Sequence, residues 1–486
     1  MSTDLGNPAD LARRAAARAG SAPALVDGTV RLTWADLDEH VDAVAAGLRA
    51  RQLPAGARVA LQAPTCVEFV TGYLATIRAG LVSVPIDPSY TAAEVRHILD
   101  DSGAELLLDR DAVRGLAAGP GRPGADSTRS GEDVVAVLYT SGTSGRGKGA
   151  MLSARALLAN VEQIAAVRPP LVGSGDVVFL PVPLSHILGL NAGLGTALLT
   201  GATLVLADSG PRFDADASLA TMAAEGVTTV LAVPGHYAAW SARPGFAAGF
   251  ATVRFAMSGS TRLGRGLVDR YARDGVALRD GYGLTETAPV VAVGTPDDDP
   301  AEAAGSVGRP LPGVEVQLRD TDGDEVDDGD PGRLVVRGPN LFSGYWPDGR
   351  DGPDTDGWFA TGDIAITDPA GRLRLVGRTT DLVIVNGFNV YPAEVETVLN
   401  RARGVAEAAV VGVADDRTGE AVHAYVVAAP GEALDPAELI AHAARELARF
   451  KVPTRVHVVE ALPHTVTGKV KKWQLSRTGG DDDGAE

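Results

Sequence analysis

A chain of 486 residues, 45% hydrophobic and only 5% aromatic, has length for roughly two to four domains and the small-residue texture of a soluble α/β protein. Its 62 acidic against 44 basic side chains leave a formal charge of −18, which excludes non-specific nucleic-acid binding because neutralising phosphates needs a basic surface. One cysteine, Cys66, excludes an intrachain disulfide and a cysteine-ligated metal cluster.

Residues 11–18 mix alanine with arginine and lack the apolar core of a signal peptide, so a cytoplasmic location is expected. Short apolar runs at 58–61, 81–86 and 104–108 read as strands separated by helical segments. The stretch 119–131, rich in Gly, Pro, Ser and Arg, reads as an exposed connection, and 134–138 as a buried strand. Residues 177–207 carry no Asp, Glu, Lys or Arg, long enough to span a bilayer. Pro181, Pro183, His186, Asn191 and several glycines interrupt them, so a strand–helix–strand passage through a soluble core is expected instead. Strands at 177–181, 203–207, 228–233 and 253–257 alternate with helices at 217–224 and 266–273, a pattern of parallel sheets with helices on their faces. After Pro310 the texture turns β-rich, with runs at 314–318, 333–337 and 372–376 between Asp/Gly turns, consistent with a small barrel-like unit. From Asp381 a compact α+β domain is expected, with helices at 393–400 and 436–449 and strands at 408–413 and 421–427. The acidic tail 476–486 has nothing to bury and reads as disordered.

Chemistry concentrates in a few stretches. Residues 139–149, Tyr-Thr-Ser-Gly-Thr-Ser-Gly-Arg-Gly-Lys-Gly, follow the strand at 134–138; glycines let backbone N–H groups converge, hydroxyls add donors and Lys148 adds a charge, which suits a phosphate. The run nearly matches the P-loop, with Gly142, Gly147 and Lys148 correctly spaced, but Gly149 stands where a magnesium-binding hydroxyl is needed. Residues 280–287, Asp-Gly-Tyr-Gly-Leu-Thr-Glu-Thr, offer Tyr282 as a flat face for a purine, Thr285 for a phosphate oxygen and Glu286 for Mg²⁺. In Asp-Gly-Trp-Phe-Ala-Thr-Gly-Asp, 356–363, the closing Asp363 is either a turn former or an acceptor for ribose hydroxyls. Gly377-Arg378-Thr379-Thr380-Asp381 precedes Asn386-Gly387-Phe388, and Lys469 follows a Thr-Gly turn in 462–470, with Lys471 and Lys472 making a solvated basic patch the plain alternative.

The order and spacing of these motifs closely resemble the adenylate-forming superfamily, and within it the acyl-CoA synthetase and fatty-acid–CoA ligase family, over about residues 25–475. The resemblance implies an α/β protein with a large N-terminal adenylation domain (1–378) holding two parallel-type sheets plus a small β-barrel-like unit, a hinge at 379–381 centred on Thr380, and a small mobile α+β C-terminal domain (382–475). By similarity, Thr140, Ser141, Gly142, Thr143, Ser144, Gly145 and Lys148 embrace the ATP phosphates, while Gly281, Tyr282 and Gly283 line the adenine site. Thr285 contacts phosphate, Glu286 holds Mg²⁺, and Asp363 and Arg378 fix the ribose. Lys469 reaches the acyl carboxylate and α-phosphate, His186 stands at the acyl pocket, and Gly387 and Phe388 line the pantetheine tunnel for coenzyme A.

Several positions depart from the family pattern: Gly147 for a usual proline, Ala154 for a frequent histidine, Thr380 for a charged hinge residue, and Gly259-Ser260-Thr261 for Gly-Gly-Ala. The resulting expectation is an ATP- and Mg²⁺-dependent acid–CoA ligase for a fatty or other apolar carboxylic acid, because Ser185-His186 lacks the acidic amine anchor of amino-acid-activating relatives. The alternative acceptor is a carrier-protein thiol; a P-loop ATPase or kinase is a third reading. Acyl length is expected to depend on Pro234, His236, Tyr237 and Met257.

Overall fold

The computed structural model describes residues 6–119, 127, 129–140, 147–207, 213–303, 305–327, 329–386, 388–415, 417–464, 468–472 and 474–475. The chain divides into two compact units, Met1–Val316 with Val336–Phe359, and Gln317–Val335 with Ala360–Glu486.

The first unit holds two large sheets. One runs in the order Leu106–Leu108, Arg58–Gln62, Val82–Ile86, Val134–Thr140, Lys148–Ser153; its first four strands are parallel and the last turns back antiparallel. The other has nine strands, in the order Arg309–Pro310, Val290–Val293, Ala277–Gly283, Phe255–Ser258, Thr229–Ala232, Val177–Leu180, Thr203–Leu206, Pro23–Asp27, Val30–Thr33. Its centre, from Ala277–Gly283 to Pro23–Asp27, is parallel, with antiparallel pairs at both edges. Every residue of Thr229–Ala232 and of Phe255–Ser258 is buried, as strands covered on both faces must be.

Crossover helices start where the local chemistry provides a cap. Thr91 and Glu94 form a reciprocal capping box at Ala92–Ser102, which ends on left-handed Gly103. Asp214 caps Ala215–Glu225, extending the expected helix by two residues at its start. The charge-free 177–207 passage is strand, helix, strand: Val177–Leu180, a π-helix Leu188–Gly195 running into Thr196–Thr200, then Thr203–Leu206. Among the described residues no helix is long and apolar enough to cross a membrane. The expected strand at 253–257 starts later, at Phe255, because Phe250 to Val253 close a turn (Val253 N–H to the Phe250 carbonyl, 3.1 Å).

A core of Phe179, Tyr237, Trp240, Phe246, Phe250 and Tyr271 packs beneath the nine-stranded sheet. Tyr237, expected to help set acyl length, belongs to this core; its hydroxyl donates to the Met257 carbonyl at 2.7 Å, and its ring meets Tyr271 edge-on at 5.5 Å. Burying such a ring contributes about 1.5–3 kcal/mol, so Tyr237 is fixed by packing.

In the second unit the β-rich part is a sheet ordered Glu315–Arg319, Gly332–Arg337, Trp358–Thr367, Leu373–Arg378. The aromatic motif at 356–363 is largely strand rather than turn: Asp354 accepts from the N–H groups of Asp356 and Trp358, so the turn is complete before the strand begins. A five-stranded sheet follows, in which Gly419–Ala428 pairs antiparallel with Val405–Asp415 and parallel with Arg455–Val459. Both long strands exceed the predicted runs. Helices Pro392–Leu399 and Pro436–Glu446 pack over it through Val395, Leu399, Leu439 and Ala443. The second helix stops short of 449, and Arg449–Lys451 form a separate 3₁₀ turn.

Candidate active site

In the first unit, the carboxyl ends of parallel strands present the candidate residues, as open α/β sheets generally do. Val82–Ile86 leads to Asp87, Val177–Leu180 to Ser185 and His186, Thr229–Ala232 to His236, and Ala277–Gly283 to Glu286. The Ser185 hydroxyl donates to Asp87 Oδ2 at 2.9 Å and the Leu184 N–H to Thr65 Oγ1 at 3.0 Å, tying the ends of the two sheets together. The Leu188 N–H donates to His186 Nδ1 at 3.2 Å, so the neutral ring carries its proton on Nε2. Burial pulls the His186 pKa down to about 4, against the raising influence of Asp87. Burial likewise brings His236 to about 4, and its Nδ1 has no hydrogen-bond partner among the described residues.

The phosphate-loop candidates Ser141, Gly142, Thr143, Ser144 and Gly145 lie outside the described residues. Their flanks decide the P-loop question. Thr140 stands opposite Lys148 in an antiparallel pair, and the chain continues as the strand Lys148–Ser153. A P-loop needs a helix N-terminus directly after its lysine; here the next helix, Ala154–Ala166, starts only after that strand, capped by Ser153. A Cβ on Gly149 would lie 2.7 Å from Val137 Cγ1, so packing excludes a hydroxyl side chain there. Gly147 is held through its carbonyl, 3.1 Å from His97 Nε2.

Lys148 Nζ lies 3.1 Å from Asp351 Oδ2 and 4.9 Å over the Tyr345 ring centre. The Tyr345 hydroxyl donates to Glu286 Oε1 at 2.5 Å. Glu286 and Thr285 sit on a 3₁₀ turn, Thr285–Thr287, that follows the strand carrying Gly281, Tyr282 and Gly283. Tyr282 is buried. A Cβ at Gly283 would overlap the Pro289 carbonyl, so that position needs glycine, whereas one at Gly281 would meet only the movable end of Met257. Neighbouring Asp280 is buried, accepts from the Leu263 N–H at 3.1 Å, and burial raises its pKa to about 7.

In the second unit, Asp363 and Arg378 are register partners on adjacent strands, Arg378 Nε lying 3.0 Å from Asp363 Oδ1. Lys469 joins this group. Although the residue as a whole is exposed, its ammonium pKa is lowered, first by desolvation and then by the like charge of Arg378, against Asp363 and Asp381. Thr380 lies on the 3₁₀ turn Thr379–Asp381, its hydroxyl 3.1 Å from Asp381 Oδ1. Phe388 is exposed and stacks on Phe450 at 4.7 Å; Gly387 lies outside the described residues. Each unit thus gathers its own set, Lys148 with Glu286 in the first and Asp363, Arg378 and Lys469 in the second.

A family profile described as AMP-binding enzyme matches residues 12–346, and one described as AMP-binding enzyme C-terminal domain matches 394–469. The chain belongs to this family. Within it the chain falls among the AMP-forming acyl-CoA synthetases. It is 36% identical to a feruloyl-CoA synthase of Amycolatopsis sp over 94% of this chain and 96% of the relative. It is 33% identical to a long-chain-fatty-acid–CoA ligase of Escherichia coli O157:H7, covering 96% and 93% of the two chains. ATP-bound MatB from Rhodopseudomonas palustris superposes with a TM-score of 0.90 at 33% identity, covering 98% and 99%.

Sequence reasoning passed over Tyr345, Asp351 and Asp87. Their partners lie far along the chain, 59 residues apart for Tyr345 and Glu286, and no local motif marks them. Among the described residues no cluster of three or more metal-ligating side chains occurs, and Glu286 Oε2 makes no hydrogen bond. A lone carboxylate of this kind fits Mg²⁺, which is commonly held by one or two carboxylates, water and substrate phosphates.

Proposed function

We propose that this member of the family activates a fatty or aromatic, largely apolar carboxylic acid with ATP and passes it to the thiol of coenzyme A. The observation that carries the acid class is the neutral His186 beside Ser185, whose charged neighbour is the acidic Asp87. A neutral ring with a carboxylate nearby favours an apolar acyl group and repels a second carboxylate on the substrate. The names of the ferulic-acid and long-chain relatives support the same class.

In the first step a carboxylate oxygen of the acid attacks the α-phosphorus, the bond from that phosphorus to the bridging oxygen breaks, and pyrophosphate leaves. Lys148 and Thr140, at the mouth of the hairpin, hold phosphate oxygens, with Thr285 as a further donor. Lys469 meets the charge that builds on the α-phosphate, and the Asp363–Arg378 pair accepts and orients the ribose. Bound at Glu286, Mg²⁺ supplies charge neutralisation for the phosphates. Tyr282, Gly281 and Gly283 wall the adenine. In the second step the thiolate sulfur attacks the acyl carbon, the bond to the phosphate oxygen breaks, and AMP leaves with the electron pair. Phe388 flanks the path of the thiol-bearing arm, and movement about residues 379–381 exchanges Lys469 for that path.

A panel of fatty, aromatic, amino and dicarboxylic acids, scored for pyrophosphate release and for thioester with and without coenzyme A, tests this reading. Fatty or aromatic acids should give both products with free coenzyme A. Activity confined to dicarboxylic or amino acids, or a thioester formed only on a carrier protein, overturns it.

A further inference from the structure

One tyrosine touches both Glu286 and Lys148. The Tyr345 phenol donates to Glu286 Oε1 at 2.5 Å, and the face of the same ring lies 4.9 Å from Lys148 Nζ. Its position is fixed from several sides. Residue 345 bridges to Ala150 on the strand that begins at Lys148, and the next residue's N–H, on Trp346, donates to the Gly149 carbonyl at 2.8 Å. The Tyr345 N–H reaches the Arg350 carbonyl at 3.0 Å, and Phe342 packs against the ring edge-on at 5.1 Å. The Phe342 N–H also donates to the backbone carbonyl of Glu286 at 2.9 Å. The segment carrying the ring is therefore clipped to both elements whose side chains it joins.

We propose that Tyr345 is a positioning residue that sets the metal and phosphate grip together. Its hydroxyl holds one oxygen of Glu286 and leaves the other for Mg²⁺, while its ring face holds the Lys148 ammonium at the start of the strand Lys148–Ser153. A hydrogen bond to a ligating carboxylate fixes its orientation, and loss of such an outer partner commonly costs roughly ten- to a hundred-fold in metal affinity. A ring face beneath an ammonium adds a second, smaller hold on the cation. The two roles separate by substitution: Tyr345→Phe keeps the ring and loses the hydroxyl, and Tyr345→Leu loses both.

This inference rests on Glu286 as the metal carboxylate. Mn²⁺ binding is read by electron paramagnetic resonance of the free ion in the presence of a non-hydrolysable ATP analogue, and analogue binding without metal by calorimetry. Tyr345→Phe should weaken Mn²⁺ about ten-fold and leave metal-free analogue binding unchanged, whereas Tyr345→Leu should weaken both. Wild-type Mn²⁺ affinity in Tyr345→Phe, with Glu286→Gln losing the ion, overturns the role of Tyr345. Wild-type affinity in Glu286→Gln itself overturns the metal assignment instead. Equal loss of metal-free analogue binding in Phe and Leu variants contradicts the division between hydroxyl and ring.

Discussion

The first unit leaves its key lysine exposed and ion-paired, while the second desolvates its own. Lys148 is given partners: Asp351 at 3.1 Å and the Tyr345 ring beneath it. Lys469 is desolvated and lies near the like charge of Arg378, with Asp363 and Asp381 only partly offsetting both, so its ammonium is less stable as a cation than an ordinary lysine. An exposed, ion-paired cation exchanges its partner for the charge of a ligand; a desolvated one gains most when negative charge appears beside it. On the proposed reading, the contrast suits Lys148 to ground-state phosphate binding and Lys469 to transition-state stabilisation.

The sharpest way to break that division is Lys469→Ala. Loss of a positioned charge on the developing phosphate charge should lower adenylation on the order of a thousand-fold, while thioester formation from supplied acyl-adenylate stays within a few-fold of wild type. Separate assays of the two half-reactions check this, and equal loss in both removes the distinction.

Asp280 extends the comparison to a buried acid in the first unit. Its folded pKa is raised to about 7 from 3.8, so between those values the unfolded chain ionises while the folded carboxyl keeps its proton. Stability from this group is therefore intact below about pH 4, falls as pH rises, and stays lowered above about 7. Asp280→Asn should raise the melting midpoint at pH 8, with a gain on the order of 2 kcal/mol, and give no gain at pH 4. A gain independent of pH contradicts the ionisation account.

The pH profile of adenylation sharpens the reading of Lys469. Its charged form is lost as pH rises through a value below the ordinary 10.5, so the rate should fall on the alkaline side. In Lys469→Arg, less active but charged throughout, that fall should flatten. An identical alkaline limb in both proteins assigns the titration to another group.

The smallest effect concerns Asp351, which forms an exposed ion pair with Lys148 and on the proposed reading competes there with phosphate. Exposed pairs are weak, so Asp351→Asn should lower the KM for ATP only about two-fold, an effect that disappears in high salt. A raised KM would make Asp351 a support for Lys148 rather than a competitor.

Much of this was legible in the sequence. The alternation of short β-branched runs with amphipathic segments is the signature of parallel sheets, and the charge-free 177–207 passage read correctly as strand, helix, strand because prolines and glycines interrupt it. In a motif whose members are close in sequence, such as Tyr282 to Glu286, the residues fall on a strand end and the 3₁₀ turn after it. What stayed hidden depends on long-range pairing. The P-loop near-match fails because the strand after Lys148 pairs back on 134–140, which no residue between them announces. The tie from Tyr345 to Glu286 arises from the clip of the 342–346 segment onto that strand and onto residue 286. Nor does the sequence show that Tyr237, on the helix Pro234–Ser241, and its neighbour His236 both pack against Trp240.

In the proposed reaction the acid is activated by joining its carboxylate oxygen to the α-phosphate. Turnover with an acid labelled with ¹⁸O in both carboxylate oxygens, analysed by mass spectrometry of the nucleotide product, tests it most directly. One labelled oxygen in AMP and none in pyrophosphate is the predicted result. Unlabelled AMP, or label appearing in inorganic phosphate alongside ADP, would contradict it.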